Sequence, residues 1–125
     1  MLTILAVAVG GALGSVARYL TMGWVGQLSG PSFPYGTLAV NILGSFIMGG
    51  VIAYFARLGG VSNELRAFVA VGILGGFTTF SAFSLDVVTL AKEGALMPMA
   101  AYIIFSVVLS VLALVMGLWL IRVIA

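Results

Sequence analysis

Apolar residues fill this chain in four long runs. Polar residues fall between the runs, or recur every fourth position inside two of them. Crossing a bilayer as a helix takes about 20 predominantly apolar residues, and every run reaches that length. Segment one covers 2–25 and is uncharged until Arg18. The stretch "GQLSGPSFP" follows, rich in turn formers. Segment two, 35–56, carries no charge, and the loop after it holds Arg57, Gly59, Gly60, Glu64 and Arg66. Segment three covers 67–91 with Asp86 near its end, and "KEG" closes it. Segment four, 95–121, is uncharged before Arg122 and has Pro98 in its first turn, where proline fits. The pattern predicts an all-α membrane protein, one domain of four transmembrane helices.

Composition agrees and removes whole classes of chemistry. Of 125 residues, 63% are hydrophobic, and the net charge is only +2. Cysteine and histidine are absent, which excludes disulfides, thiolate chemistry and the usual general base. The acidic residues are Glu64, Asp86 and Glu93, too few and too scattered for a paired-carboxylate centre. An enzyme is not expected, and the scattered charge does not suggest nucleic acid. Because no basic stretch precedes segment one, it reads as a spanning helix rather than a cleaved leader.

Charge leaves the orientation open. With four spans, Arg57, Arg66 and Arg122 share one side, facing Arg18 and Lys92 on the other. Three against two is hardly a bias under the positive-inside rule. One reading is a weak signal with a single orientation. The other is insertion both ways, with pairing as an antiparallel homodimer. Small residues that permit close helix approach (Gly10, Gly14, Gly44, Gly49, Gly50, Gly72, Gly75 and Gly76) favour assembly.

Two polar stripes run inside the membrane. Segment two carries Thr37, Asn41, Ser45 and Gly49, and segment four Tyr102, Ser106 and Ser110, each four residues after the last. Positions i and i+4 share a helix face, so each series forms a stripe. Hydroxyls there can simply glue helices together. Asn41 adds weight to a second reading, a polar track, because an amide at membrane depth needs a partner or water. Arg18 has two readings as well: snorkelling to the headgroups, or drawing anions to a vestibule.

"GGFTTFSAFS", from Gly75 to Ser84, is the least helix-like stretch of segment three. Gly75 and Gly76 weaken a helix, and Thr78 and Thr79 can bond backbone groups in place of the ladder. A break is expected here, and freed carbonyls at membrane depth suit a small cation such as Na⁺. Phe80 and Phe83, three apart, present electropositive ring edges to one side. Ser81 and Ser84 would set hydroxyl donors beside them.

Together, "GGALGSVARY" (Gly10 to Tyr19), "GTLAVNILGSFIMG" (Gly36 to Gly49) and "GGFTTFSAFS" resemble the Fluc (CrcB) family of small fluoride channels over most of the chain. The resemblance implies a third helix broken mid-membrane and an antiparallel, dual-topology homodimer in the cell's inner membrane. It implies two fluoride pores and a central sodium ion held by the Gly75 and Thr78 carbonyls of both subunits. Phe80 and Phe83 look like the pore phenylalanines, and Asn41 like the amide that supports passage. Tyr102, Ser106 and Ser110 are similar to the segment-four track, and Arg18 to the segment-one arginine. Thr37 and Ser81 complete the expected anion path. Ala82 departs from the family pattern, which usually has a hydroxyl there. The alternative from another class is a proton-coupled small multidrug-type transporter, which needs a carboxylate deep in the membrane.

Overall fold

A computed structural model describes residues 1–125. The chain is all helical. Helix α1 spans Leu2–Ser29 and α2 spans Tyr35–Leu58. The third span runs from Asn63 to Lys92 in pieces: a single turn α3 (Asn63–Arg66), a π-helical stretch (Ala67–Leu74), a turn α4 (Gly75–Phe77), and α5 (Phe80–Lys92). Helix α6 spans Leu96–Ile124. Four helices are long and apolar enough to cross a membrane. The expected count of four holds, with ends running past the apolar runs, since backbone hydrogen bonding continues until a turn former stops it. Gly30 (φ 80°) and Gly59 (φ 59°) end α1 and α2 in the left-handed region.

Packing follows the logic of a chain whose solvent is lipid. The buried residues of α1 are Gly10 and Gly14, while Leu5, Leu13, Leu20 and Trp24 point outward. In α6 the buried residues are Tyr102, Ser106 and Gly117. Lipid tails offer no incentive to bury a leucine, so helices meet through their smallest and most polar residues. A Cβ at Gly14 would stand 2.1 Å from the Ile73 carbonyl oxygen, and one at Gly10 2.4 Å from that of Phe68. Between α2 and α6, Gly49 lies against the backbone of Leu114 and Gly117 against that of Phe46 in the same way. Only 18 of 125 residues are buried, so most apolar surface is left to lipid or another chain.

Within "GGFTTFSAFS" the helical geometry lapses at the threonines, not the glycines. Gly75 keeps α-helical dihedrals (φ −62°, ψ −38°), whereas Thr78 (−87°, 160°) and Thr79 (−152°, 122°) are extended. Extended backbone suits a β-branched residue. Gly76 is small for a different reason: its added Cβ would lie 2.8 Å from the Gly11 carbonyl oxygen of α1.

Candidate functional site

Asn41 is the centre of the site. Its Nδ2 donates to the Thr79 carbonyl at 2.9 Å, and its Oδ1 accepts from the Thr79 N–H at 2.8 Å. One side-chain amide thus pairs with both backbone groups of one residue, as a neighbouring strand would. Both partners would cost free energy if left unpaired away from water. The Thr79 hydroxyl then accepts from the Ala82 N–H at 3.1 Å and caps α5.

These bonds have a consequence for two carbonyls. In a continuous α-helix the Gly75 carbonyl would receive the Thr79 N–H and the Thr78 carbonyl the Ala82 N–H. Thr79 gives its N–H to Asn41, and Ala82 gives its own to the Thr79 hydroxyl. The two oxygens singled out in the sequence are those deprived of their helical donors.

Beside the amide lies an open groove of about 430 Å³ between α2, α5 and α6. Asn41, Ser45, Phe80, Phe83, Ser106 and Ser110 line it, and Met48, Val111 and Leu114 give it an apolar end. Phe80 and Phe83 sit 5.4 Å apart between ring centroids. Phe83 is buried, while Phe80 is 78% exposed and turns its ring away from the chain's own core. The hydroxyls of Ser106 and Ser110 are buried without a hydrogen-bond partner. Since buried polar groups are normally paired, these two, with the second N–H of the Asn41 amide, are donors held in reserve. Ser84 is not one of them: its hydroxyl donates to the Phe80 carbonyl at 3.0 Å, contrary to the expected donor beside the rings.

Three of the expected path residues lie outside this groove. Tyr102 is buried, and its hydroxyl donates to Asp86 Oδ2 at 2.8 Å. Its ring joins Phe83 (5.1 Å) to Phe33 (5.5 Å, edge-on), so aromatic rings lead from the groove toward the α1–α2 loop. Thr37 lines a separate hollow near that loop together with Asp86, Thr89 and Glu93. Ser81 lines a third recess with Arg18, Tyr19 and Ala82, between α1 and α5. For Thr37 and Tyr102, which end the stripes of spacing four, the reason is helical pitch, whereas Ser81 belongs to no such series. Four residues overshoot one turn of 3.6 by about 40°, so a series spaced by four drifts around the helix. Asn41 and Ser45 share the groove, whereas Thr37 and Gly49, at the two ends of the series, have rotated out of it. The hydrogen bond between Asp86 and Tyr102 escaped the sequence reading. An acid within a span, in need of a donor, was its only signal.

Ala82 lines the Arg18 recess and not the groove. For the anion path that the family resemblance implies, Ala82→Thr is therefore expected to alter flux along the groove by less than about tenfold, or 1.4 kcal/mol. Flux measured for the two chains side by side in liposomes checks this.

The sequence profile described as "CrcB-like protein, Camphor Resistance (CrcB)" matches residues 5–118. The chain belongs to the CrcB family. It is 54% identical over 122 residues, 98% of each chain, to a protein of Mesorhizobium japonicum named fluoride-specific ion channel FluC. It is 53% identical to an Agrobacterium fabrum protein of the same name over 94% of each. A Rhizobium etli protein, also so named, is 47% identical over the whole of both chains. With four helices able to span, this CrcB chain is a multi-pass integral membrane protein, and in a bacterium its membrane is the inner one. No group of three or more His, Cys, Asp or Glu side chains comes together in it.

Proposed function

We propose that the chain is a passive, fluoride-selective channel that lets the anion leave the cell down its electrochemical gradient. The groove carries this reading. It sets an amide and two unpartnered hydroxyls beside two phenylalanine rings, in a relative of proteins named for fluoride. A small anion gives up its water only where donors replace it, and it moves on only if each donor holds it weakly. Ser106, Ser110 and Asn41 supply N–H and O–H groups, and the edges of Phe80 and Phe83 supply weak positive charge. Nothing in the groove is anionic.

The assembled form is an antiparallel homodimer, inserted both ways. Phe80 and the open side of the groove need a covering surface to exclude lipid, and a second, inverted copy would provide one. In that arrangement two grooves become two pores. We read Thr78 and Thr79 as a true mid-membrane break in the third span. It leaves the Gly75 and Thr78 carbonyls without helical donors, an oxygen set of the kind sodium prefers. Gly75 fits such a role, because a Cβ there would meet nothing closer than Ala70 O at 3.6 Å within the chain. A sodium ion held by both subunits would be structural, fixing the two breaks against each other. Arg18, on the recess with Ser81, draws anions toward the mouth.

The proton-coupled transporter needs a carboxylate in its substrate site. Asp86, the nearest, is not among the groove's residues and accepts from Tyr102, so nothing favours that reading. The test is purified protein in liposomes loaded with fluoride or chloride. A fluoride electrode should record rapid protein-dependent efflux, with chloride almost retained. Absence of fluoride efflux, or equal loss of chloride, overturns the proposal.

A further inference from the structure

A second cleft, unrelated to the groove, opens near the other end of the bundle. It holds about 390 Å³ between the C-terminal turns of α2 and α6 and the start of the third span. Ile47, Val51, Phe55, Val69, Leu120 and Ile121 are among its walls, and it presents almost no polar atoms. The same end of the bundle carries three arginines. Arg57 lies in the last turn of α2, Arg66 in α3 and Arg122 in the last turn of α6. All three are exposed. The Arg66 guanidinium stands 5.9 Å from the centre of the Phe55 ring, directly on a cleft wall.

Charge is divided unevenly between the two ends. Arg18 and Lys92 at one end are matched by Asp86 and Glu93, two against two. Arg57, Arg66 and Arg122 at the other face only Glu64, so the whole side-chain charge of +2 sits at the end of the bundle where this cleft opens.

We propose that the cleft is a binding site for an anionic phospholipid, one acyl chain lying along its apolar walls and the headgroup phosphate held by Arg66 with Arg57 and Arg122. The chain gains little by leaving the bilayer, which is as apolar as the cleft. Preference for this lipid therefore rests on its charge, at about fivefold in affinity per arginine. Guanidinium suits the task because its planar fork matches phosphate oxygens while its other face rests on an aromatic ring.

The experiment uses the full chain in detergent, titrated with phosphatidylglycerol or with phosphatidylcholine of identical acyl chains. Bound lipid is counted by native mass spectrometry, and thermal midpoints are recorded. Phosphatidylglycerol should be retained and raise the midpoint, and phosphatidylcholine should do neither. Arg66→Gln should weaken retention of phosphatidylglycerol about fivefold. Ile47→Trp, which fills the wall, should displace the lipid with all three arginines intact. Equal retention of the two lipids overturns the proposal, as does an Arg66→Gln chain that binds like the parent. The chain has no cysteine of its own, so a single Val69→Cys reports a further outcome cleanly. Disulfide-linked dimers through that position would give the cleft to a second copy instead of a lipid.

Discussion

Asn41→Asp is expected to suppress fluoride efflux by a factor on the order of 10³. The substitution keeps the oxygen that accepts from Thr79 N–H but replaces the Nδ2 donor with a second oxygen, set against the Thr79 carbonyl 2.9 Å away. That bond becomes a repulsion, with a destabilisation of about 1–3 kcal/mol from the unpaired carbonyl. The larger effect is on the anion. A carboxylate on the groove wall repels fluoride by about 4 kcal/mol at 4 Å and an effective dielectric of 20, and this sets the factor given. Electrode recordings from liposomes measure the loss, and size-exclusion chromatography shows whether assembly persists. Efflux within tenfold of the parent would place the anion's route elsewhere.

The second large effect concerns folding. Gly49→Val should abolish the packing of α2 on α6, because an added Cβ at Gly49 meets the Leu114 carbonyl oxygen at 2.1 Å. Backbone cannot yield as a side chain can, so the helices must separate along their length. The expected loss is about 3 kcal/mol or more, at the upper end for overpacked sites. Its neighbour is the control. A Cβ at Gly50 would find Ile121 Cγ1 at 3.5 Å, an ordinary approach, so Gly50→Ala should stay within about 0.5 kcal/mol of the parent. Thermal midpoints of the two detergent-purified variants separate these outcomes.

Much of this was legible because membrane spans are written in composition. Four apolar runs gave four helices, and their loops fell where glycine and proline stand. The groove was partly legible: Asn41, Phe80, Phe83, Ser106 and Ser110 do converge. Thr37 and Tyr102 do not join them, since a four-residue spacing only approximates the helical repeat, and Ser81, next to Phe80, faces the Arg18 recess instead. The glycines of "GGFTTFSAFS" misled for a related reason. Composition marks Gly75 and Gly76 as weak points, but both stay helical, Gly76 pressed against Gly11 of α1. The threonines take the extended geometry because Asn41, 38 residues away, is there to pair with Thr79. No local pattern announces a partner that distant. The bond from Tyr102 to Asp86 is equally non-local.

That amide pairing bears on how an ion would find its place. The bent backbone is fastened from within one polypeptide, so in the proposed sodium-bearing homodimer its oxygens would be aimed before the cation arrives or the second copy docks. A receptor already in its bound shape spends none of its affinity on rearrangement. Assembly should then resemble the closing of two finished halves rather than mutual folding.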